Sequence, residues 1–205
     1  MPRRREQNEG LRAERRQQIL AAAILLFARQ GLDATSMSQV AKEAGVSHGT
    51  VFLYFPTKDD LFRAALLEPL AEAEAKFRES LLTPGTPRER IERMVHNQVH
   101  RFARADAYVR LTQQVLGHPA RFPDLAPELY AFTARYFEIL CPIIAEGQRT
   151  GELAPGDPRL LAAAFFAYLN GVVLIVDDSP DSPAWDGMAA TGMRLFVPVE
   201  RRPEP

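Results

Sequence analysis

The segment VSHGTVFLYFPTKDDLF, residues 46–62, brings together several groups that can form hydrogen bonds. Ser47 is a favourable N-cap, and Pro56 ends any helix that starts there, so the spacing predicts a short helix running to about Phe55. His48 and Thr50 then lie in its first turn, where exposed backbone N–H groups also favour an anion. Donors in this position suit phosphate oxygens and the edges of bases. The segment therefore predicts nucleic-acid contacts.

The predicted helix has two different faces. Val51 and Phe55 are four residues apart and are expected to face the interior, which leaves Gly49 and Leu53 facing outward. An outward glycine lowers helix propensity by ~1 kcal/mol relative to alanine, a cost that makes sense where the backbone must approach another molecule. Leu53 can contact a thymine methyl group. The alternative, a set of merely exposed polar residues on a small bundle, does not account for the outward glycine and leucine.

The preceding residues predict the helices that position this segment. Apolar residues recur at helical spacing over residues 19–27, and Gly31 supplies a stop. Ser36 followed by Gln39 is a capping-box pattern, and Gly45 closes the short helix that it begins. Two short helices joined through a glycine turn form a helix-turn-helix, whose second helix can lie in a DNA major groove. Thr57 is expected to cap a fourth helix.

From about residue 60 onward the helical pattern continues, broken by LTPGTP, GHPARFPDLAP, RTGELAPGDP and DDSPDSP. No run shows the alternation of a strand, so the predicted fold class is all-α. It consists of a three-helix N-terminal head, a connecting helix and a C-terminal helical body. The predicted divisions are a flexible basic arm over 1–13, a helix-turn-helix domain over 14–60, a helical body over 61–200 and a frayed tail over 201–205.

Pro69 interrupts the pattern of the fourth helix. Proline removes one backbone hydrogen bond and clashes with the carbonyl four residues earlier, so a kink or a break is expected between Ala65 and Pro69. The alternative is that Pro69 opens a separate helix at its first turn. We expect this point to join the DNA-binding head to the body.

Charge distribution and cysteine content limit the classes of protein to which this chain can belong. The chain has 205 residues and a net charge of -1, but residues 1–58 hold nine Lys or Arg against five Asp or Glu. The basic end therefore comes first. The lone Cys141 cannot form an internal disulfide, no apolar segment follows the basic N-terminus, and residues 160–176 fall short of the ~20 that span a bilayer. A cytoplasmic protein without a membrane segment is expected.

The pattern ATSMSQVAKEAGVSHGTVFLYFPTKDDLF resembles the TetR family of bacterial transcriptional regulators. The resemblance is specific over residues 14–70 and implies a homodimer of nine-helix subunits with a DNA-binding head and a divergent effector-binding body. The family often has tyrosine in place of Phe52 and lysine or arginine in place of His48, so affinity is expected to depend more on the N-terminal arginines. The family's DNA-contacting positions fall on Ser36, Ser47, His48, Gly49, Thr50, Phe52, Leu53, Tyr54 and Lys58.

The resemblance further implies repression from a palindromic operator and release by a small-molecule effector. Ligand pockets are apolar with a few placed polar groups, so we expect an apolar or amphipathic effector. The predicted lining is Phe102, Tyr108, Gln114, Phe137 and Asn170. Residues 160–176 and the following PAWDGMAATGMRLFVPV are too apolar for solvent and predict a four-helix dimer interface. Gly171 allows close approach there, and a charge at Val172 or Leu174 is expected to give monomers.

Other classes of function remain as alternatives. His96 and His100 have the i, i+4 spacing of metal ligands, but the sequence identifies no third ligand, so no metal or other cofactor is predicted. Cys141 lies among apolar neighbours, which favours an inert thiol over a redox sensor. The sequence has no nucleophile elbow and no glycine-rich phosphate loop, so we do not predict an enzyme. A DNA-binding dimer that senses no ligand is a further alternative.

Overall fold

The computed structural model describes residues 2–176 and 179–198, with side chains from residue 10 onward. These residues form helices and connecting turns without a strand, which confirms the all-α prediction. The helices are α1 Pro2–Ala34, α2 Met37–Glu43, α3 His48–Tyr54, α4 Lys58–Leu82, α5 Pro87–Arg104, α6 Asp106–Gly117, α7 Ala126–Arg149, α8 Pro158–Ile175 and α9 Ala184–Met193. The tail over 201–205 lies outside the described residues.

The chain divides into two compact units. The first contains residues up to Leu70 together with Arg110–Leu129, and the second contains Ala71–Val109 and the residues from Tyr130 onward. The sequence placed the boundary at 60/61 instead. The difference arises because the first turns of α4 bury Leu61 and Leu66 completely in the first unit.

The structure confirms the capping box and the glycine turns predicted for the head. The Ser36 hydroxyl accepts a hydrogen bond from the Gln39 backbone N–H, and the Gln39 side chain accepts one from the Ser36 N–H, which completes the capping box of α2. Gly31 and Gly45 have φ angles of 79° and 63°, conformations that favour glycine. Gly31 lies within the residues that α1 spans and marks a kink in that helix.

The predicted flexible arm over 1–13 is helical from Pro2 on, so α1 begins earlier than expected. Its sequence contains strong helix formers, Arg, Glu and Gln, interrupted by Asn8 and Gly10.

α4 runs from Lys58–Leu82 through Pro69, so the expected break and the alternative of a separate helix are wrong, while a kink between Ala65 and Pro69 stays a prediction. Burial of Ala65, Leu66 and Leu70 around this point offsets the lost hydrogen bond. The division between the two units nevertheless falls directly after Leu70.

The second unit has one apolar core, to which α5, α7, α8 and α9 all contribute. Phe165 of α8 is fully buried, and Trp185 of α9 is 2 % exposed. α9 packs mainly on α5 and less on α8. Among the described residues, α8 is the one helix long and apolar enough, by length and composition, to cross a membrane. It buries Ala162, Phe165, Leu169 and Val173 on one side against the core of the second unit.

Candidate DNA-binding surface and effector region

α3 has the two faces that its sequence predicted. Val51 is fully buried and Phe55 is 2 % exposed, so these two side chains anchor the helix to the head. Leu53 is 72 % exposed, and Phe52 is 41 % exposed. The nearest atom to a β-carbon built on Gly49 is the Ser47 Oγ at 4.0 Å, so nothing inside the head requires glycine there. The outer face of α3 is therefore free to meet another molecule.

Three of the predicted hydroxyl contacts also have local structural roles. Ser36 caps α2, and the Ser47 Oγ accepts from the Thr50 backbone N–H at 3.1 Å. The Ser47 and Thr50 hydroxyl oxygens are 2.7 Å apart. These groups hold the helix starts in place, and any contact of theirs with DNA shares hydroxyls already used by the caps.

The two ring side chains near them are arranged edge to face. His48 and Phe52 have ring centroids 4.8 Å apart, and both are exposed. This pair covers one side of the outer face of α3.

Lys58 has partners within the head that the sequence did not reveal. Its Nζ donates to the Leu32 carbonyl oxygen at 2.9 Å and lies 3.5 Å from that of Asp33. A cation at the carboxyl end of α1 is favourable because the helix dipole is negative there. Lys58 thus fastens α4 to the end of α1, and its predicted phosphate contact requires it to leave or share these carbonyls.

A groove beside α3 contains residues outside the set of DNA-contacting positions predicted from the sequence. It has a volume of about 580 Å³ and is lined by Thr50, Leu53 and Tyr54 of α3 together with Arg12 and Arg15 of α1. Both arginines are exposed. The excess of basic residues at the N-terminus was the available signal, but their position next to α3 depends on the fold. These guanidinium groups can neutralise phosphates next to a helix in the major groove.

Arg16 does not belong to this set. Its guanidinium pairs with Glu68 of α4 and lies 4.8 Å from the centre of the Phe55 ring. It therefore connects α1, α3 and α4 within the head.

The predicted effector residues do not all lie in one unit. Phe102 and Phe137 pack partly buried against the core of the second unit, and Tyr108 also belongs to that unit. Asn170 Nδ2 donates to the Phe166 carbonyl oxygen at 2.7 Å. Gln114, however, lies in the first unit and donates to the Ala28 carbonyl oxygen at 2.8 Å. That bond fixes Gln114 against α1.

Two other polar groups stand out in the second unit. Gln98 is 3 % exposed and Tyr136 is 5 % exposed, yet Gln98 Nε2 and Tyr136 Oη have no hydrogen-bond partner. Burial raises the pKa of Tyr136 well above its ordinary value, so the phenol stays protonated and can donate. Buried polar groups are nearly always hydrogen-bonded, so two buried groups without a partner in the second unit require an explanation. Neither residue is in the effector lining predicted from the sequence, because burial without a partner depends on tertiary packing.

The alternative sensing residues also have definite surroundings. Burial raises the pKa of the Cys141 thiol, in keeping with an unreactive cysteine. His96 and His100 lie next to Asp186 of α9, a third possible ligand that the sequence did not reveal.

Two family models match this chain, one over the helix-turn-helix head and one over the helical body. The family described as "Bacterial regulatory proteins, tetR family" matches residues 19–65, and the family described as "BetI-type transcriptional repressor, C-terminal" matches residues 87–195. The "Fatty acid metabolism regulator protein" of Bacillus subtilis is 27% identical over 157 residues, which cover 76% of this chain and 80% of that protein.

Two solved structures share the fold. The first is a putative transcriptional regulator from Saccharomonospora viridis in complex with choline, with a TM-score of 0.72 and 24% identity, covering 91% of this chain and 100% of that one. The second is AibR in complex with isovaleryl coenzyme A and operator DNA, with a TM-score of 0.73 and 17% identity, covering 90% of this chain and 98% of that one.

The helix-turn-helix with its exposed recognition face and the all-helical second unit thus match the family over both parts of the chain. The partner that these matches imply is operator DNA. The chain belongs to the TetR family of bacterial transcriptional regulators, with a C-terminal domain of the BetI type, and it is a DNA-binding regulator of transcription.

Proposed function

We propose that this regulator is a repressor that binds a palindromic operator as a homodimer and is released by an effector with an apolar body and a carbonyl or carboxylate group. The observation that carries the effector is the pair of unpartnered groups, Gln98 Nε2 and Tyr136 Oη, in the core of the second unit. Because such a repressor binds chromosomal DNA, we expect it in the bacterial cytoplasm.

The chemistry of Gln98 Nε2 and Tyr136 Oη indicates the class of effector. An amide N–H donates only, and a protonated phenol donates readily, so both groups can satisfy a hydrogen-bond acceptor. The side chains around Tyr136 are aromatic: Phe77 stacks on it, and Phe132 and Phe166 lie tilted against it. An acyl chain with its carbonyl oxygen offers both the apolar body and the acceptor. The relative that regulates fatty acid metabolism and the neighbour that binds isovaleryl coenzyme A support this choice.

A choline-like cation is the second candidate, because one structural neighbour is a complex with choline. Aromatic rings attract quaternary ammonium groups through their faces. Choline has a hydroxyl but no carbonyl, so it satisfies the two donors of this chain less well.

The exposed side of α8 supports the homodimer. Leu160, Ala164, Ala167, Gly171 and Leu174 follow one another at spacings of four and three residues. That is the repeat of a helix packed along a second helix. All of them are exposed except the half-exposed Gly171, while the buried residues of α8 lie on its other side. A second copy that covers this apolar stripe brings two heads together, and two recognition helices then read half-sites ~34 Å apart.

The test begins with DNA fragments selected from a random pool by the purified protein. A two-fold symmetric site is expected, and a site without symmetry contradicts the dimeric arrangement. The operator complex is then titrated with acyl coenzyme A thioesters of increasing chain length, free fatty acids and choline. Release by an acyl compound supports the proposal, release by choline favours the second candidate, and release by neither contradicts effector-controlled repression by these classes.

A further inference from the structure

Three possible metal ligands meet on the surface of the second unit. His96 and His100 lie one turn apart on α5, and Asp186 lies in the first turn of α9. The Nε2 atoms of His100 and His96 are 3.0 Å and 3.9 Å from the same carboxylate oxygen, Asp186 Oδ1. All three ligand atoms lie within 4.8 Å of one another.

We propose that His96, His100 and Asp186 form a zinc site that ties α9 to α5. In a tetrahedral site, Zn²⁺ lies ~2.0–2.2 Å from histidine nitrogen and carboxylate oxygen, so its ligand atoms are about 3.3 Å apart. The observed separations of 3.0 Å and 3.9 Å fall on either side of that value. His96 has 57 % of its side chain exposed, so its ring can rotate without disturbing the core.

The ligand types determine the metal. Two imidazoles and one carboxylate suit Zn²⁺ and its transition-metal neighbours, whereas Mg²⁺ and Ca²⁺ prefer oxygen ligands alone. The i, i+4 histidine pair on a helix is a known zinc-binding arrangement. Because the cluster is at the surface, water completes the fourth position.

A plain hydrogen bond between His100 and Asp186 is the competing explanation. It accounts for the 3.0 Å contact but not for His96, which stacks on His100 with ring centroids 4.4 Å apart and is too far from Asp186 for a hydrogen bond. A shared cation gives both imidazoles a role. The two explanations differ on one point: only a metal site requires His96.

A bound zinc ion has a structural consequence for α9. Trp185, next to the ligand Asp186, is buried in the core of the unit, and its Nε1 donates to the Ser179 carbonyl oxygen at 2.9 Å. Metal binding therefore restrains the helix that carries this tryptophan. Trp185 is also the single tryptophan of the chain, so its fluorescence reports on the site without labelling.

The experiment uses untagged full-length protein, since a polyhistidine tag binds zinc itself. Zinc is titrated while Trp185 fluorescence and the melting temperature are followed, and Co²⁺ is added as a spectroscopic probe. One ion per chain, a rise in melting temperature and a tetrahedral cobalt spectrum without a thiolate band are expected. His96→Gln and Asp186→Asn should each weaken binding at least about 10-fold. His118→Gln is the matched control, because His118 is exposed in the other unit.

Three results overturn the proposal: no zinc binding above the level of a chelator-washed blank, zinc binding that His96→Gln leaves unchanged, or a cobalt spectrum with a thiolate band. The last would assign the metal to Cys141. Circular dichroism and operator binding of each variant show that it is folded, which is expected because all three side chains lie at the surface. This test does not depend on the effector, so it stands or fails separately from the proposed function.

Discussion

At the scale of single residues, Gly49 is a position where head stability and operator affinity favour different residues. Its β-carbon would meet no atom closer than 4.0 Å, and its backbone is helical. Gly49→Ala should therefore stabilise the head by up to ~1 kcal/mol through helix propensity. The same methyl group would keep the backbone of α3 from its closest approach to DNA, so operator affinity should fall. Urea unfolding and fluorescence anisotropy measure the two effects, and an alanine variant that binds operator as tightly as wild type would contradict the predicted contact.

Tyr136 offers a second test at this scale, with Tyr168 as its control. Removing an unpartnered buried hydroxyl is neutral or stabilising, so Tyr136→Phe should leave unchanged or raise the free energy of unfolding. Tyr168 Oη donates to the Met188 carbonyl oxygen at 2.7 Å, so Tyr168→Phe should cost ~1 kcal/mol. Effector binding should weaken in Tyr136→Phe by roughly 2- to 10-fold, the value of one hydrogen bond. Equal destabilisation by the two substitutions would show that Tyr136 has a partner within the protein.

At the scale of elements, the capping box of α2 determines how α3 is presented. Losing the Ser36 side chain leaves the Gln39 N–H without its acceptor, so Ser36→Ala should cost ~1 kcal/mol of head stability. Ser38→Ala is the matched control, since Ser38 is exposed within the same helix and alanine has the higher helix propensity there. Chemical denaturation compares the two. The free energy of operator binding is measured on the same variants. If Ser36→Ala lowers it by more than it lowers the free energy of unfolding, Ser36 also contacts DNA directly.

At the scale of the whole molecule, the dimer can be tested through glycine on α8. A β-carbon on Gly171 meets nothing within 4 Å in the subunit, so Gly171→Leu should leave the monomer folded. It should still block the close approach of a partner helix, giving monomers that bind operator poorly. Gly192→Leu is the contrasting variant, because its β-carbon would lie 3.0 Å from the Tyr168 ring and disturb the fold itself. Light scattering and thermal melts distinguish the two, and a dimeric Gly171→Leu protein would place the interface elsewhere.

The choice of Gly171 revises the sequence prediction for Val172. Val172 packs against the core of its own subunit, so a charge there would unfold the second unit rather than only separate two subunits. Leu174 is 44 % exposed and remains a suitable position for a charged substitution.

Much of the head followed from the sequence by itself, because its signals are local. The caps at Ser36 and Ser47 and the turn at Gly45 involve partners within five residues, and the inward placement of Val51 and Phe55 follows from the helical repeat. The same reasoning placed Leu53 outward. Family resemblance, carried by those residues, supplied the class of regulator.

Only the tertiary structure decided which distant residues meet. Lys58 bonds to a carbonyl 26 positions away, Gln114 to one 86 positions away, and Asp186 joins a histidine pair from a helix 86 positions later. Helical spacing specifies which face a residue occupies but not which element covers that face. The continuity of α4 through Pro69 has the same origin, since the local cost of proline is known from the sequence, while the burial that offsets it depends on packing among elements far apart in the chain.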